Sequence, residues 1–412
     1  MRIIIENQLF KILGGTETIA IATYNMLKER GHDVFFFATQ DKEYYEKDYI
    51  YTKYFPKNVY GIKEYLKNPI GYYWNFEAVK KFENMIEDVK PDLIHFNSLI
   101  SPSILSVIKK KKIPSIMTFH MMPSCCPSTK FLYKNQHICN SFKCKNGNYF
   151  HCLLNKCRDN SIEQSLRKTI LSYVYAKTHV YDDISCFLCP SNALRDYVRQ
   201  SNIIDNKEKI ITINNFLIQK DIPSSPNYDN NGYFLFIGRL SPEKGVHFLL
   251  QAIKELPKDI KFHIVGTGSQ EKFLKSYSKK NQLTNVEFLG FKNREEIQQE
   301  YQNCIATILP CNWFEIFGMT NIEAAFYGKP TIASNIGAIP EIVEHNKTGL
   351  LFEPTNVEAL KECILNYWYD KNLVIEQGKN AYKKANLLYT EDRYYDELIK
   401  IYNKVIERNT NA

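Results

Sequence analysis

The 412-residue chain contains no apolar run approaching the ~18 residues of a membrane span. It shows no secretory leader either: the apolar run in Met1-Arg2-Ile3-Ile4-Ile5 is too short, and no small-residue cleavage site follows. That segment reads as a strand, and the two absences together predict a cytoplasmic protein. No internal repeat or low-complexity tract is present, which excludes a solenoid or a disordered scaffold. The full G-x-G-x-x-G dinucleotide fingerprint is missing, which counts against a nicotinamide oxidoreductase. Acid is absent from residues 101–150, where eight Lys stand unbalanced.

What is present suits a globular α/β protein. Hydrophobic residues make up 44% and charged residues 24%, and the length fits two domains of about 200 residues each. The net charge of +8 is uneven: residues 1–200 hold 28 Lys+Arg against 19 Asp+Glu, and the remainder 53−28 = 25 against 45−19 = 26. This asymmetry predicts an anionic partner for the N-terminal half. Nucleic acid is disfavoured, because no nucleic-acid motif accompanies the charge. An anionic membrane surface fits better, with Lys109-Lys110-Lys111-Lys112 as the densest cluster. The alternative is a solvated helix end whose lysines favour the negative end of the dipole.

Six of the eleven Cys crowd one segment: Cys125, Cys126, Cys139, Cys144, Cys152 and Cys157, with His137 and His151 among them. Cys139/Cys144 and Cys152/Cys157 are similarly spaced pairs, each one residue wider than the commonest zinc-ligand range. A structural zinc on these four would give the insertion 121–160 a core it otherwise lacks. Unligated thiols are the alternative, and disulfides are disfavoured in a reducing compartment. Cys186 and Cys189 lie in an apolar strand and read as small core residues.

Short apolar runs and helical stretches alternate through both halves. Val34–Ala38, Leu93–Phe96 and Ser115–Phe119 read as buried strands, as do Tyr233–Ile237, Phe262–Val265, Val286–Leu289, Ala306–Leu309 and Thr331–Ala333. Such alternation predicts parallel sheets covered on both faces. Asp221–Asn231, rich in Pro, Ser and Asn, reads as the linker. The expected division is an N-terminal domain 1–217, a C-terminal domain 218–388 and a last helix 389–412 that packs back toward the first domain.

Four motifs carry chemistry. Leu13-Gly14-Gly15-Thr16-Glu17 joins the first strand to the first helix, where glycine admits a ligand and helix N–H groups face an anion. Gly238-Arg239-Leu240-Ser241-Pro242-Glu243-Lys244-Gly245 places two cations within reach of one diphosphate. Val265-Gly266-Thr267-Gly268 stands at a strand's carboxyl end, where ligands of such sheets bind. Glu315-Ile316-Phe317-Gly318-Met319-Thr320-Asn321-Ile322-Glu323 sets two carboxylates eight positions apart, suited to the hydroxyl pairs of sugars and riboses. Taken singly, the first three are also compatible with ordinary turns.

Residues 234–354 resemble the donor domain of the family 4 retaining glycosyltransferases, which have the GT-B fold of two Rossmann-like domains facing a central cleft. The matching pieces are FIGRLSPEKG, HIVGTG, FLGF, the Glu315/Glu323 pair, EAAFYGKP, ASNIGAIPEIV and KTGLLFEP. The N-terminal half matches through Gly14-Gly15-Thr16-Glu17, PDLIHFNS, the TFH ending at His120, and CPSNALRDYV. The resemblance implies transfer of a sugar from a UDP- or GDP-linked donor to a glycan or lipid-linked oligosaccharide, with retention and no catalytic metal. It implies that Arg239 and Lys244 hold the diphosphate, Glu323 the ribose and Glu315 the transferred sugar, beside N–H groups from Phe317, Gly318, Met319 and Thr320. Gly15 would close on the phosphates, His120 would lie near the anomeric carbon, and Gly266 and Phe291 complete the donor-binding set. Ile316 departs from the family's usual Gly, which bears on the loop path and donor preference. The rival readings are a GT-B epimerase or phosphorylase, which would turn over without an acceptor, and a non-catalytic sugar-nucleotide-binding subunit.

Overall fold

The structure, a computed structural model, describes residues 1–11, 14–39, 54–56, 74–121, 126–129, 131–133, 137–139, 144, 146–228 and 232–410. Leu13 and Cys125 lie outside the described residues. The N-terminal half carries strands β1 (Arg2–Glu6), β2 (Asp33–Phe37), β3 (Leu93–Phe96), β4 (Ser115–Thr118), β7 (Cys186–Cys189) and β8 (Ile210–Thr212), interrupted by the short hairpin β5 (Leu132–Tyr133) and β6 (His137–Ile138). The six long-range strands form one parallel sheet in the order β2-β1-β3-β4-β7-β8. The C-terminal half carries β9 (Phe234–Ile237), β10 (Phe262–Val265), β11 (Val286–Gly290), β12 (Ala306–Leu309), β13 (Thr331–Ser334) and β14 (Gly349–Phe352), parallel in the order β11-β10-β9-β12-β13-β14. Two Rossmann-like sheets with flanking helices are the expected architecture, and they are what the chain forms.

The strands are apolar on both faces because helices cover both. Ile3, Ile4 and Ile5 are fully buried, Ile3 and Ile5 in one cluster and Ile4 in another. Each strand order reverses direction at one place, between β1 and β3 in the first sheet and between β9 and β12 in the second. Loops at the carboxyl ends of those strands diverge and leave a crevice.

The final helix, Glu391–Thr410, packs on the N-terminal sheet: Tyr394, Leu398, Tyr402 and Val405 share a buried cluster with Ile3, Ile5, Leu27 and Leu93. The Tyr402 hydroxyl lies 2.6 Å from His95 Nδ1, and Asn409 donates to the Lys112 carbonyl at 2.8 Å. Within the segment read as a linker, whose residues 229–231 lie outside the described residues, the Asn227 N–H donates to the Tyr327 carbonyl at 3.1 Å and its amide to the Gln302 carbonyl at 2.9 Å. Of the lysine cluster, Lys110 and Lys111 pair at 3.0 Å with Glu83 and Glu87 of helix Phe76–Val89. No described helix is long and apolar enough to cross a membrane.

Candidate functional site

Both loops at the switch point of the second sheet carry the donor motifs. The loop after β9 holds Arg239 and Lys244, and the loop after β12 holds Glu315. They are joined by the Asn312 N–H, which donates to the Glu243 carbonyl at 3.1 Å. Lys244 Nζ donates to Glu315 Oε2 at 2.7 Å, and Trp313 Nε1 donates to the same oxygen at 3.0 Å. The ammonium also sits 5.1 Å from the centre of the Trp313 ring. Burial would lower the Lys244 pKa, but the facing Glu315 carboxylate outweighs it and holds the ammonium above its ordinary value. Arg239 extends into solvent, its side chain 71% exposed, and approaches Glu243 only to 3.9 Å. The site thus has one fixed cation and one that reaches out.

Close backbone packing explains Gly266. Its φ is +127°, and a Cβ there would lie 2.0 Å from the Gly238 carbonyl oxygen. The glycine therefore presses the β10 loop onto the β9 loop, whatever it does for a ligand. Gly337, at φ +60°, does the same behind the acid: its Cβ would lie 2.4 Å from the Glu315 carbonyl oxygen, which accepts the Ala338 N–H at 2.8 Å. Glu323, on helix Met319–Phe326, is held by a residue the motif reading missed. Tyr301, buried and stacked on Tyr327 at 5.3 Å, donates its hydroxyl to Glu323 Oε2 at 2.6 Å. Burial raises the Glu323 carboxyl and the Tyr301 bond opposes it.

Phe317 buries its ring against Tyr389, centroids 5.8 Å apart, so only its backbone could serve a ligand. Gly318 caps helix Met319–Phe326 with no side-chain bond, which leaves its first N–H groups, beside Met319 and Thr320, free of a capping side chain. Phe291, just past β11, is 81% exposed. Across the cleft, Gly14 and Gly15 begin helix Gly15–Glu29, also without a side-chain cap. Burial raises the Glu17 carboxyl and the charge of Arg239 lowers it, so the first loop and the donor loop face each other.

Ile316 accounts for its departure from glycine. Its side chain is buried in the N-terminal cluster with Phe131 and Tyr197, and its carbonyl accepts from Ser191 Oγ at 2.7 Å. Phe314 beside it lies 5.2 Å from Phe131. Glu341 closes the same seam, accepting the N–H groups of Asn192 at 2.8 Å and Ala193 at 2.6 Å at the start of helix Asn192–Gln200. A side chain at position 316 thus ties the Glu315 loop to the opposite domain.

On the N-terminal side, His120 follows β4, and its Nε2 lies 2.8 Å from Asn97 Oδ1 after β3. It opens on a pocket of ≈ 200 Å³ that Ser98, Lys168, Ser172 and Tyr175 also line. Burial lowers the His120 pKa to about 4, so its imidazole is neutral at pH 7. Burial, then the neighbouring His120, lowers His95 to about 3. The folded state keeps both rings neutral while the unfolded chain protonates below ~6.5. Unfolding therefore takes up protons, and stability is lost as pH falls from 6.5 toward 4. We expect a loss of about 2 kcal/mol per ring between pH 6.5 and 5, read as a falling denaturant midpoint, and a flatter profile in His95→Gln. A midpoint that is constant over this range contradicts two neutral rings.

The cysteines expected to hold zinc converge. Cys139, Cys144, Cys152 and Cys157 line one cavity of ≈ 20 Å³, and Cys126, absent from the spacing argument, lines it with them.

Two nucleotide-type sheets with a cation-and-carboxylate site at the switch point define the GT-B class of glycosyltransferase. The family model described as Glycosyltransferase Family 4 matches residues 13–217, and that described as Glycosyl transferases group 1 matches residues 199–384. The chain belongs to this family and is a glycosyltransferase. It is similar to an uncharacterised glycosyltransferase of Methanocaldococcus jannaschii, 28% identical over 98% of this chain and 99% of that one. It is 27% identical to the O-antigen chain mannosyltransferase C of Escherichia coli over 43% of this chain and 48% of that one. In fold it resembles Anabaena HepE in complex with UDP-glucose, with a TM-score of 0.67, 20% identity and full coverage of both chains.

Proposed function

We propose that the enzyme moves a sugar from a nucleoside-diphosphate sugar, UDP- or GDP-linked, to a hydroxyl of a lipid-linked glycan in surface polysaccharide synthesis, with retention at the anomeric carbon. The observation that carries this is the Lys244–Glu315–Trp313 cluster at the switch point of the second sheet. Lys244 and Arg239 stabilise negative charge as it grows on the leaving diphosphate. Glu323, oriented by Tyr301, accepts from the ribose hydroxyls, with Gly266 and Phe291 beside the nucleotide. Glu315 accepts from the sugar. The bond from the anomeric carbon to the diphosphate oxygen breaks as the acceptor oxygen bonds on the same face, and the acceptor proton passes to the leaving oxygen. Neutral His120 offers a hydrogen bond near the reacting carbon without adding charge. The Ile316 and Glu341 seam holds the domains together over the donor and keeps water out. The UDP-glucose bound by HepE and the name of the O-antigen enzyme favour this donor and acceptor chemistry.

Helix Ile162–Lys177 supports an anionic, lipid-linked acceptor. One face turns Lys168, Leu171, Ser172 and Tyr175 into the His120 pocket. Lys168 has no hydrogen bond or ion pair among the described residues, and burial, with Arg158 and Arg167 nearby, lowers its pKa to about 8. The other face leaves Ile162, Leu166 and Ile170 exposed at 57%, 42% and 41%, one turn apart. An acidic headgroup in the pocket and an apolar stripe on the bilayer fit one helix, and would seat the enzyme peripherally at the inner face of an anionic membrane. This stripe suits the bilayer better than Lys109–Lys112, two of which are already paired. Nucleoside-diphosphate release is the test, with donors screened against lipid-phosphate glycans and neutral glycan analogues. We expect Lys168→Met to raise KM for the phosphate-bearing acceptor on the order of tenfold or more and to leave the neutral analogue unaffected. Equal effects on both acceptors contradict the headgroup role, and release that ignores every acceptor favours an epimerase or hydrolase.

A further inference from the structure

Five thiols reach one small cavity from four separate stretches of the insertion: Cys126, Cys139, Cys144, and the pair Cys152 and Cys157. We propose that they form a structural zinc site in which Cys126 and three of the four paired cysteines bind the ion, and that this site sets the wall of the acceptor pocket. Cys126 comes from a stretch apart from the two pairs and lines the cavity together with all four of them. The Cys157 N–H donates to the Cys152 carbonyl at 3.0 Å, which holds the two thiols of that pair on one turn.

The insertion needs such a centre. Its described regular structure is the two-residue strands β5 and β6 and the five-residue helix Phe150–Leu154. So little regular structure leaves the order of these residues dependent on contacts other than backbone ladders. An ion that binds the folded loops adds its binding free energy to folding. A tetrahedral set of sulfurs selects zinc or an iron–sulfur cluster, and one site with room for a single ion favours zinc. No three of the sulfurs lie within 4.8 Å of one another, whereas zinc–sulfur bonds of ~2.3 Å bring ligands closer. Binding must therefore draw the loops inward and take protons off the buried thiols.

The consequence reaches the acceptor site because the two cavities share a wall. Cys126 and Pro127 line both the cysteine cavity and the His120 pocket. Phe131 also lines the cysteine cavity, and its ring meets Tyr197 at 4.6 Å and Phe314 at 5.2 Å, next to Glu315. Moving the loops inward moves this wall and the seam with it.

The test is metal analysis of the full chain purified under reducing conditions and equilibrated with zinc alone. We expect about one zinc per chain. Cys126→Ser and three of the four single substitutions Cys139→Ser, Cys144→Ser, Cys152→Ser and Cys157→Ser should lose it, and the fourth should retain it. Because a variant may fail to fold, the unmodified chain is also stripped with chelator and reloaded. Stripping should raise the acceptor KM severalfold while slow donor hydrolysis without acceptor persists, and zinc should restore the KM. Chains that take up no zinc, a Cys126→Ser chain that keeps it, or a native Cys152–Cys157 disulfide would overturn the assignment. Zinc uptake with an acceptor KM unchanged by stripping and reloading would instead count against the shared wall.

Discussion

Lys244→Ala is expected to lower kcat/KM for sugar transfer by on the order of 10²–10³, the usual cost of removing one preorganised charge from a transition state. The ammonium is fixed by Glu315 at 2.7 Å and by the Trp313 ring, so it needs no reorganisation as charge grows on the diphosphate. The pairing complicates the variant. Removing the cation leaves a buried carboxylate unpaired, which destabilises by about 3–5 kcal/mol. Lys244→Ala combined with Glu315→Gln removes that orphan charge and should regain thermal stability without regaining activity. If the double variant transfers sugar at near the parental rate, Lys244 serves only to neutralise Glu315, and the assignment fails.

Glu323→Ala should abolish measurable nucleotide binding, while the reacting groups stay in place. A carboxylate accepting two ribose hydroxyls makes charge-assisted bonds of about 1.5–3 kcal/mol each, so the loss is on the order of 10²–10⁴ in affinity. The substitution also strips the Tyr301 hydroxyl of its acceptor at 2.6 Å. Tyr301→Phe separates the two effects. It keeps the carboxylate but frees its orientation, so affinity should fall by only about tenfold. Titration calorimetry with nucleoside diphosphates reads both. Equal losses in the two variants would mean that Glu323 acts by packing and not by touching the ribose.

The sheets were legible because parallel strands covered on both faces are written as uninterrupted apolar runs, as in Ile3-Ile4-Ile5 and Phe234-Leu235-Phe236-Ile237. The switch-point loops were legible because Gly, Arg, Lys and Glu must sit at set distances from those runs. Helix Ile162–Lys177 and the strand Ile210–Thr212 were not read in advance. The first mixes pocket-lining and solvent-facing apolar residues, which blurs its period, and the second is too short to show one. Tyr301 could not be assigned to Glu323, since 22 positions separate them and only the β12 crossover brings them together. Cys126 was counted in the cysteine cluster but left out of the four paired ligands for a similar reason: it has no paired cysteine at ligand spacing and joins the others only in space. Ile316 was visible as a departure from the family pattern, but its partners Phe131, Ser191 and Tyr197 belong to the other domain. Gly266 shows the converse, a glycine whose spacing suggested a ligand and whose geometry shows backbone pressed on backbone.

In the proposed mechanism the cations of this chain, not a divalent metal, hold a nucleoside diphosphate at the switch point of the second sheet. Calorimetric titration with UDP and GDP in excess EDTA tests it most directly. We expect saturable binding of one of the two at a single site, unchanged by added magnesium, weakened by at least tenfold in Lys244→Ala with Glu315→Gln, and lost in Glu323→Ala. Binding that appears only with magnesium, or that survives both variants, would contradict it.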